Sequence, residues 1–506
     1  MRRLALGAAL LIVGACGGDS RTGVTPTPPT PTPLVVPSLN REFRGMWIAT
    51  VGNIDWPSSS GLTVASQQAE LITILELART TGLNAVVLQV RAAGDALYPS
   101  TLEPWARALT GTQGTDPQWD PLAFAVREAH ARGLELHAWF NPFRAGNLSD
   151  TIRLAPLHFA QRRPDLRRAH CTQLWFDPGE EAVHEQAYSV VKDVVTRYNI
   201  DAVHLDDFFY PYPDTRCPNL DFPDSSVYAR YVSGGGTLAR ADWRRANVNR
   251  FVQRLYSEVH SVKPYVRVGI SPFGIWRPGN PAGITGLDSY ASIYADSRLW
   301  LQQGWVDYFS PQLYWSITSV GQNFPALLTW WSQQNTQQRH LWPGLASYRV
   351  ADGSSSPYSA NEIPAQIDRI RQRSGSIGSI LYNTSSLLEN RAGLTSTLAG
   401  TTNLLPAIPP ASPWLDAAAP GAPTLSVTTG SGGTYLLQIT DAASEPLSWW
   451  VIRWRNGTTW SQKFVDAAQR THGIPTSTAA GATNAIVVNA IDQVGNSSTD
   501  AIWRAP

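Results

Sequence analysis

The sequence is poor in cysteine, in charge and in long apolar runs. Three cysteines, Cys16, Cys171 and Cys217, stand among 506 residues, and no spacing of Cys or His resembles a zinc site. Charged residues make up 16%, with 40 basic against 39 acidic and a net charge of +1. No basic block or stripe is present, which argues against a nucleic-acid partner. The apolar run at residues 4–13 is too short to span a membrane. A P-loop, a nucleophile elbow and a Gly-rich dinucleotide turn are all missing. Gly234–Gly236 is a glycine run in a loop, without a phosphate-type motif after it. These absences leave no cofactor and no metal to expect.

Aromatic residues are plentiful, at 10% with 20 tryptophans. They suit a large core, and they also suit stacking on the flat apolar faces of sugars. The N-terminus reads as a targeting segment. Arg2 and Arg3 precede the short apolar run, and Val13-Gly14-Ala15-Cys16 resembles a bacterial lipobox. Residues 1–16 are then a lipoprotein signal peptide with Cys16 as the lipidated residue. Gly17 and Gly18 follow Cys16 and favour the outer membrane, facing the periplasm. The Thr/Pro tract within residues 17–40 cannot bury a core and reads as an extended tether.

From residue 41 to about 405, short β-rich runs alternate with amphipathic stretches. Strands are expected at 43–51, 85–90, 134–140, 202–206, 267–272, 306–313, 341–346 and 378–382. Helices are expected at 66–81, 121–132, 181–198, 241–262, 289–303, 324–338, 363–373 and 387–398. Eight alternations predict an α/β fold, a (β/α)8 TIM-like barrel. Residues 406–423, rich in Pro and Ala, read as a linker, and 424–506 as a small all-β sandwich of fibronectin type III-like form. The connections at 141–180 and 208–240 are long. Both leave C-terminal strand ends and should wall one cleft.

The fourth strand ends in DAVHLDDFFYPYP at 201–213. Side chains alternate faces along a strand, so His204, Asp206 and Phe208 share one face and Asp207 starts on the other. Two carboxylates ending an apolar strand are costly to bury without a purpose, and the C-terminal rim is where such barrels carry their chemistry. Polar residues recur with matching parity on other strands: Gln89 and Arg91; His137, Trp139 and Asn141; Ser310, Gln312 and Tyr314. Other rim carboxylates include Asp55 and Asp95, but none ends strand five, six or seven. Cys171 and Cys217 lie in the two long loops and form a candidate disulfide in an oxidising compartment.

Several blocks carry a family resemblance. RGMW at 44–47, followed by Asn53, Asp55, Trp56 and Pro57, begins the series. HAWFNPFR (137–144), HLDDFFYP (204–211), GISPFGIWR (269–277) and DYFSPQLYW (307–315) complete it. In this order they resemble the bacterial glycosyl hydrolase-like lipoproteins once known only as a domain of unknown function. The family pattern has Tyr where Phe143 and Phe208 stand, so each position lacks a hydroxyl. The resemblance implies a TIM-like barrel that hydrolyses glycosidic bonds of cell-envelope polysaccharide, namely peptidoglycan glycan strands. Asp206 is then the nucleophile or general base and Asp207 the acid or an orienting group. In a second scheme an N-acetyl group of the substrate is the nucleophile. The substrate-binding candidates are Asp55, Trp56, Gln89, Arg91, Asn141, His204, Tyr210, Gln312, Tyr314 and Trp315. The protein is expected to be a monomer. The alternative from another class is an envelope lipoprotein that grips glycan without cutting it.

Overall fold

The computed structural model describes residues 34–505 other than 374, 376, 443 and 444. The expected signal peptide with Cys16, and most of the expected tether, lie outside the described residues. Eight parallel strands close a barrel: β1 (Phe43–Ile48), β2 (Ala85–Arg91), β3 (Glu135–Phe140), β4 (Ala202–Leu205), β5 (Arg267–Ile270), β6 (Tyr308–Phe309), β7 and β8 (Gly378–Leu381). β7 comes in two pieces, His340–Leu341 on β6 and Gly344–Leu345 on β8, and this offset closes the sheet. The ladders are parallel throughout.

Helices cover the outside. They are α1 (Val64–Thr80), α2 (Pro121–His130), α3 (Glu181–Arg197), α4 (Arg240–Val262), α5 (Ser297–Gln303), α6 (Phe324–Gln334), α7 (Glu362–Arg371) and α8 (Thr384–Leu388). Their starts follow local chemistry. Thr63 caps α1 through Ser66 N, and Asp120 caps α2 through Ala123 N with Pro121 at the first turn. The helix expected at 289–303 is interrupted, as Ser289–Ser292 and then α5. The one expected at 387–398 is displaced into α8 and short irregular turns. Among the described residues no helix is long and apolar enough to cross a membrane.

Large and small residues alternate in the barrel interior. Phe43 stacks on Trp342 at 3.9 Å, and Trp342 on Tyr308 at 5.0 Å. Glycine supplies the space: a Cβ at Gly269 would sit 1.9 Å from the Tyr308 ring, and one at Gly378 2.6 Å from Trp342. A polar relay threads this layer. The Trp47 indole N–H donates to His204 Nε2 (3.1 Å), so neutral His204 carries its proton on Nδ1 and donates to the Tyr308 hydroxyl (2.8 Å). Tyr308 in turn donates to His137 Nδ1 (2.9 Å), and His137 Nε2 donates to Glu135 (3.1 Å). Burial holds both histidines below their ordinary pKa, which keeps them neutral.

A five-stranded and a three-stranded antiparallel sheet form the C-terminal sandwich around Trp450, Ile452, Ile474 and Ile486. It stands at the floor of the barrel. Residues 406–416 pack there instead of crossing open solvent. Ile408 bridges Arg41, Ser412 bonds His340 (3.0 Å), and the Trp414 indole donates to Asp307 (2.8 Å). Trp449 meets His130 edge-on at 5.7 Å.

Candidate active site

β4 stops at Leu205, so the two aspartates after it leave the strand alternation. Phe208 N donates to Asp206 Oδ1 (3.0 Å), a turn that brings both carboxyl groups to the mouth. The Trp139 indole donates to Asp206 Oδ2 (3.0 Å), and so does the Asn141 side-chain amide. Asp207 accepts from the Tyr212 hydroxyl, and the Gln312 side chain favours its charged form. Gln312 also donates to Ser271 O (3.0 Å), which ties the ends of β5 and β6 to the dyad.

Each aspartate is 6% exposed. Burial, followed by the Asp207 charge, pushes Asp206 up to about 7. Burial also raises Asp207, opposed by Tyr212 and Gln312. Two like charges this close resist joint ionisation, so the pair keeps a proton near neutrality. Burial drives the hydroxyls of Tyr212 and Tyr314 above their ordinary range, so both remain hydrogen-bond donors.

The other sequence candidates divide by position. Asn141, Gln312, Tyr314 and Trp315 ring the mouth. Tyr314 lies parallel to Tyr382 at 6.0 Å, and Trp315 meets Phe273 edge-on at 5.7 Å. Gln89 instead holds the loop after β1, accepting from Thr50 N (3.0 Å) and Val51 N (2.9 Å). Arg91 forms a bidentate buried pair with Glu103 (2.5 and 2.7 Å) and donates to the Asn141 carbonyl, so it positions Asn141. Asp55 joins the ends of β1 and β8 through Ala49 N (2.9 Å), Asn383 (3.0 Å) and Ser385 (2.8 Å). His204 belongs to the interior relay.

Two aromatic candidates present no face at the mouth. Trp56 is fully buried and donates to Gln67 O (2.9 Å). Tyr210 is buried behind the dyad among Phe222, Tyr294 and Arg244. Pro57 and Pro211 follow these residues, so sequence alone reads both as rim positions.

Cys171 and Cys217 are joined, with Cα atoms 5.8 Å apart, and link the two long loops. Among the described residues, the carboxylates grouped closely enough to hold a cation are Asp416, Glu445 and Asp492, and neither aspartate of the dyad is among them. The residues missing from the sequence-derived set are Trp139 and Tyr212. Trp139 had a signal, since it shares parity with His137 and Asn141. Tyr212 follows an irregular turn, where no periodicity predicts its direction.

Two buried carboxyl groups at the C-terminal mouth of a closed parallel barrel stand where such barrels carry their chemistry, and relatives give that chemistry its class, glycosyl hydrolase. The profile of the family described as Glycosyl hydrolase-like 10 matches residues 42–359, and the chain belongs to that family. It is 40% identical over 414 residues to glycosyl hydrolase YngK of Bacillus subtilis (strain 168), covering 80% of each chain. It is 34% identical over 367 residues to glycosyl hydrolase DigH of Escherichia coli (strain K12), covering 68% of this chain and 82% of that one. Among solved structures, the catalytic domain of beta-amylase from Paenibacillus polymyxa aligns at 13% identity with a TM-score of 0.47, over 72% of this chain and 98% of that one.

Proposed function

We propose that this enzyme hydrolyses O-glycosidic bonds in the glycan strands of peptidoglycan. It acts as a monomer without a cofactor, from a lipid anchor at Cys16 in the outer membrane, facing the periplasm. The observation that carries the reading is the pair of buried carboxyl groups from consecutive residues, held by Trp139, Asn141, Tyr212 and Gln312.

An ordinary glycosidase pair flanks the scissile bond from two elements. Here both carboxyls come from one strand end, and three nearby candidates for a third are engaged, among them Asp95, which accepts from Ala93 N (3.1 Å). Glu103 is paired with Arg91, and Asp55 is held by Asn383 and Ser385. This favours the substrate's own N-acetyl group as nucleophile. Asp206, raised to about 7, gives its proton to the glycosidic oxygen as the C1–O bond breaks. The acetamido oxygen closes on C1, while Asp207 accepts the acetamido N–H and offsets the positive charge of the ring formed. Three N–H donors already face Asp206 and stabilise the charge left on it. Water then opens the ring at C1 and returns a proton to Asp206, and the anomeric configuration is unchanged. Parity alone favours Asp206 as base or nucleophile; the raised pKa of Asp206 supports this opposite division of roles.

The test is turnover on purified peptide-free strands beside chemically de-N-acetylated strands. The first should be cut and the second left intact. Tight binding to both without any new reducing ends would favour the glycan-gripping alternative. Incorporation of labelled palmitate, abolished by Cys16→Ser, would test the anchor.

A further inference from the structure

Arg144 stands beside the dyad without an anion of its own. It follows Asn141-Pro142-Phe143, just beyond β3, and is half-buried. Its Nε is shielded from solvent and bonded to nothing. Among the described residues no carboxylate comes within ion-pair distance of it. Four other arginines in the barrel do have a carboxylate partner: Arg91 meets Glu103, Arg168 meets Asp177, Arg244 meets Asp224 and Arg267 meets Glu135. The Arg144 guanidinium lies over the Phe208 ring at 5.8 Å. Arg144 lines a cavity of about 170 Å³ together with Asp95, Gln113 and the loop after β1. Asp206 and Asp95 act on its charge only at longer range, against the cost of burial.

A partly desolvated cation without a partner is unfavourable for the empty protein. A ligand anion removes the cost. The planar fork of a guanidinium matches a carboxylate through two parallel hydrogen bonds. We propose that Arg144 is the receptor for a carboxylate carried on the substrate's sugar, and a specificity-determining residue of this site. The inference rests on the glycan-strand reading above. In such strands every second sugar bears a lactyl ether. Its acid is an amide while a peptide is attached, and a free carboxylate once the peptide is gone. Only the free acid offers two anionic oxygens to the fork.

The experiment is steady-state kinetics of wild type, Arg144→Gln and Arg144→Lys on two substrates. One is peptide-free strands; the other is the same strands with each carboxylate converted to its methyl amide. Wild type should show a KM about 10–100-fold higher on the amide, the range for a hydrogen-bonded charge. Arg144→Gln should show that higher KM on both substrates, with kcat nearly unchanged. Arg144→Lys should recover part of the preference, because it keeps the charge and loses the fork. Equal preference for acid and amide by wild type would overturn the proposal. So would an Arg144→Gln loss confined to kcat with a displaced pH profile, which would make Arg144 an electrostatic partner of Asp206. If wild type cuts neither strand, the glycan-strand reading falls, and this inference falls with it.

Discussion

Replacing Asp206 with Asn should damage turnover and stabilise the fold, and the stabilisation should grow with pH. The folded-state pKa of Asp206 is about 7, against an ordinary value of 3.8. A raised carboxyl pKa contributes stability that is fully present below the unfolded value and is lost as pH rises through the folded one. At about 1.36 kcal/mol per unit, wild type loses roughly 4 kcal/mol between pH 3 and pH 8, of which about 2.5 falls between pH 5 and pH 8. Asn carries no charge and escapes that loss. Its amide nitrogen must face either Phe208 N–H or the donors on Trp139 and Asn141, which sacrifices about 1 kcal/mol of hydrogen bonding. Urea denaturation should therefore show the variant close to wild type at pH 5 and more stable by about 3 kcal/mol at pH 8. The kcat on peptide-free strands should fall by at least about 10²–10³-fold. A stability gap that is the same at both pH values would refute the buried-charge reasoning. A folded variant with near wild-type kcat would refute the catalytic role.

Other outcomes follow from particular contacts. Asn141→Ala removes an N–H donor from the Asp206 carboxylate, so its pKa should rise further; the alkaline limb of the pH–rate profile should move up and kcat should drop about tenfold or more. Cys171→Ser with Cys217→Ser opens a link spanning 46 residues, and urea unfolding should show a loss of about 3–4 kcal/mol in the chain-entropy model. A chain ended at residue 410 loses the Ser412–His340 and Trp414–Asp307 bonds, whereas one ended at 416 keeps them. The shorter form should be less stable by about 1–3 kcal/mol with the same kcat, because these contacts lie at the floor, away from the dyad.

The barrel was readable because its strands are buried runs separated by helical periodicity, a pattern set by local chemistry. The strand numbers and most of the helices lie where the periodicity puts them. The exceptions are short elements near the mouth and late in the chain, such as 289–303, where turns and close packing override propensity. Asp206 and Asp207 were legible as an unusual charge density on an apolar strand. The roles of their neighbours were not. Gln89, Arg91 and Asp55 have the residue types of a sugar site, yet each spends its hydrogen bonds on loops of the protein. Trp56 and Tyr210 differ from Tyr314 and Trp315 only in which way irregular backbone turns them, and alternation rules do not extend past a strand end. The missing acid partner of Arg144 is likewise a fact of three dimensions, since sequence does not reveal which arginines lack an acid.

In the proposed reaction the dyad cuts N-acetylated strands with help from the substrate's acetamido group. The most direct measurement is the anomeric configuration of the newly released reducing end, read by proton NMR in the first minutes of digestion before mutarotation. The released end should keep the configuration it has in the intact strand. Release of the opposite anomer would require direct attack by water, and would contradict it.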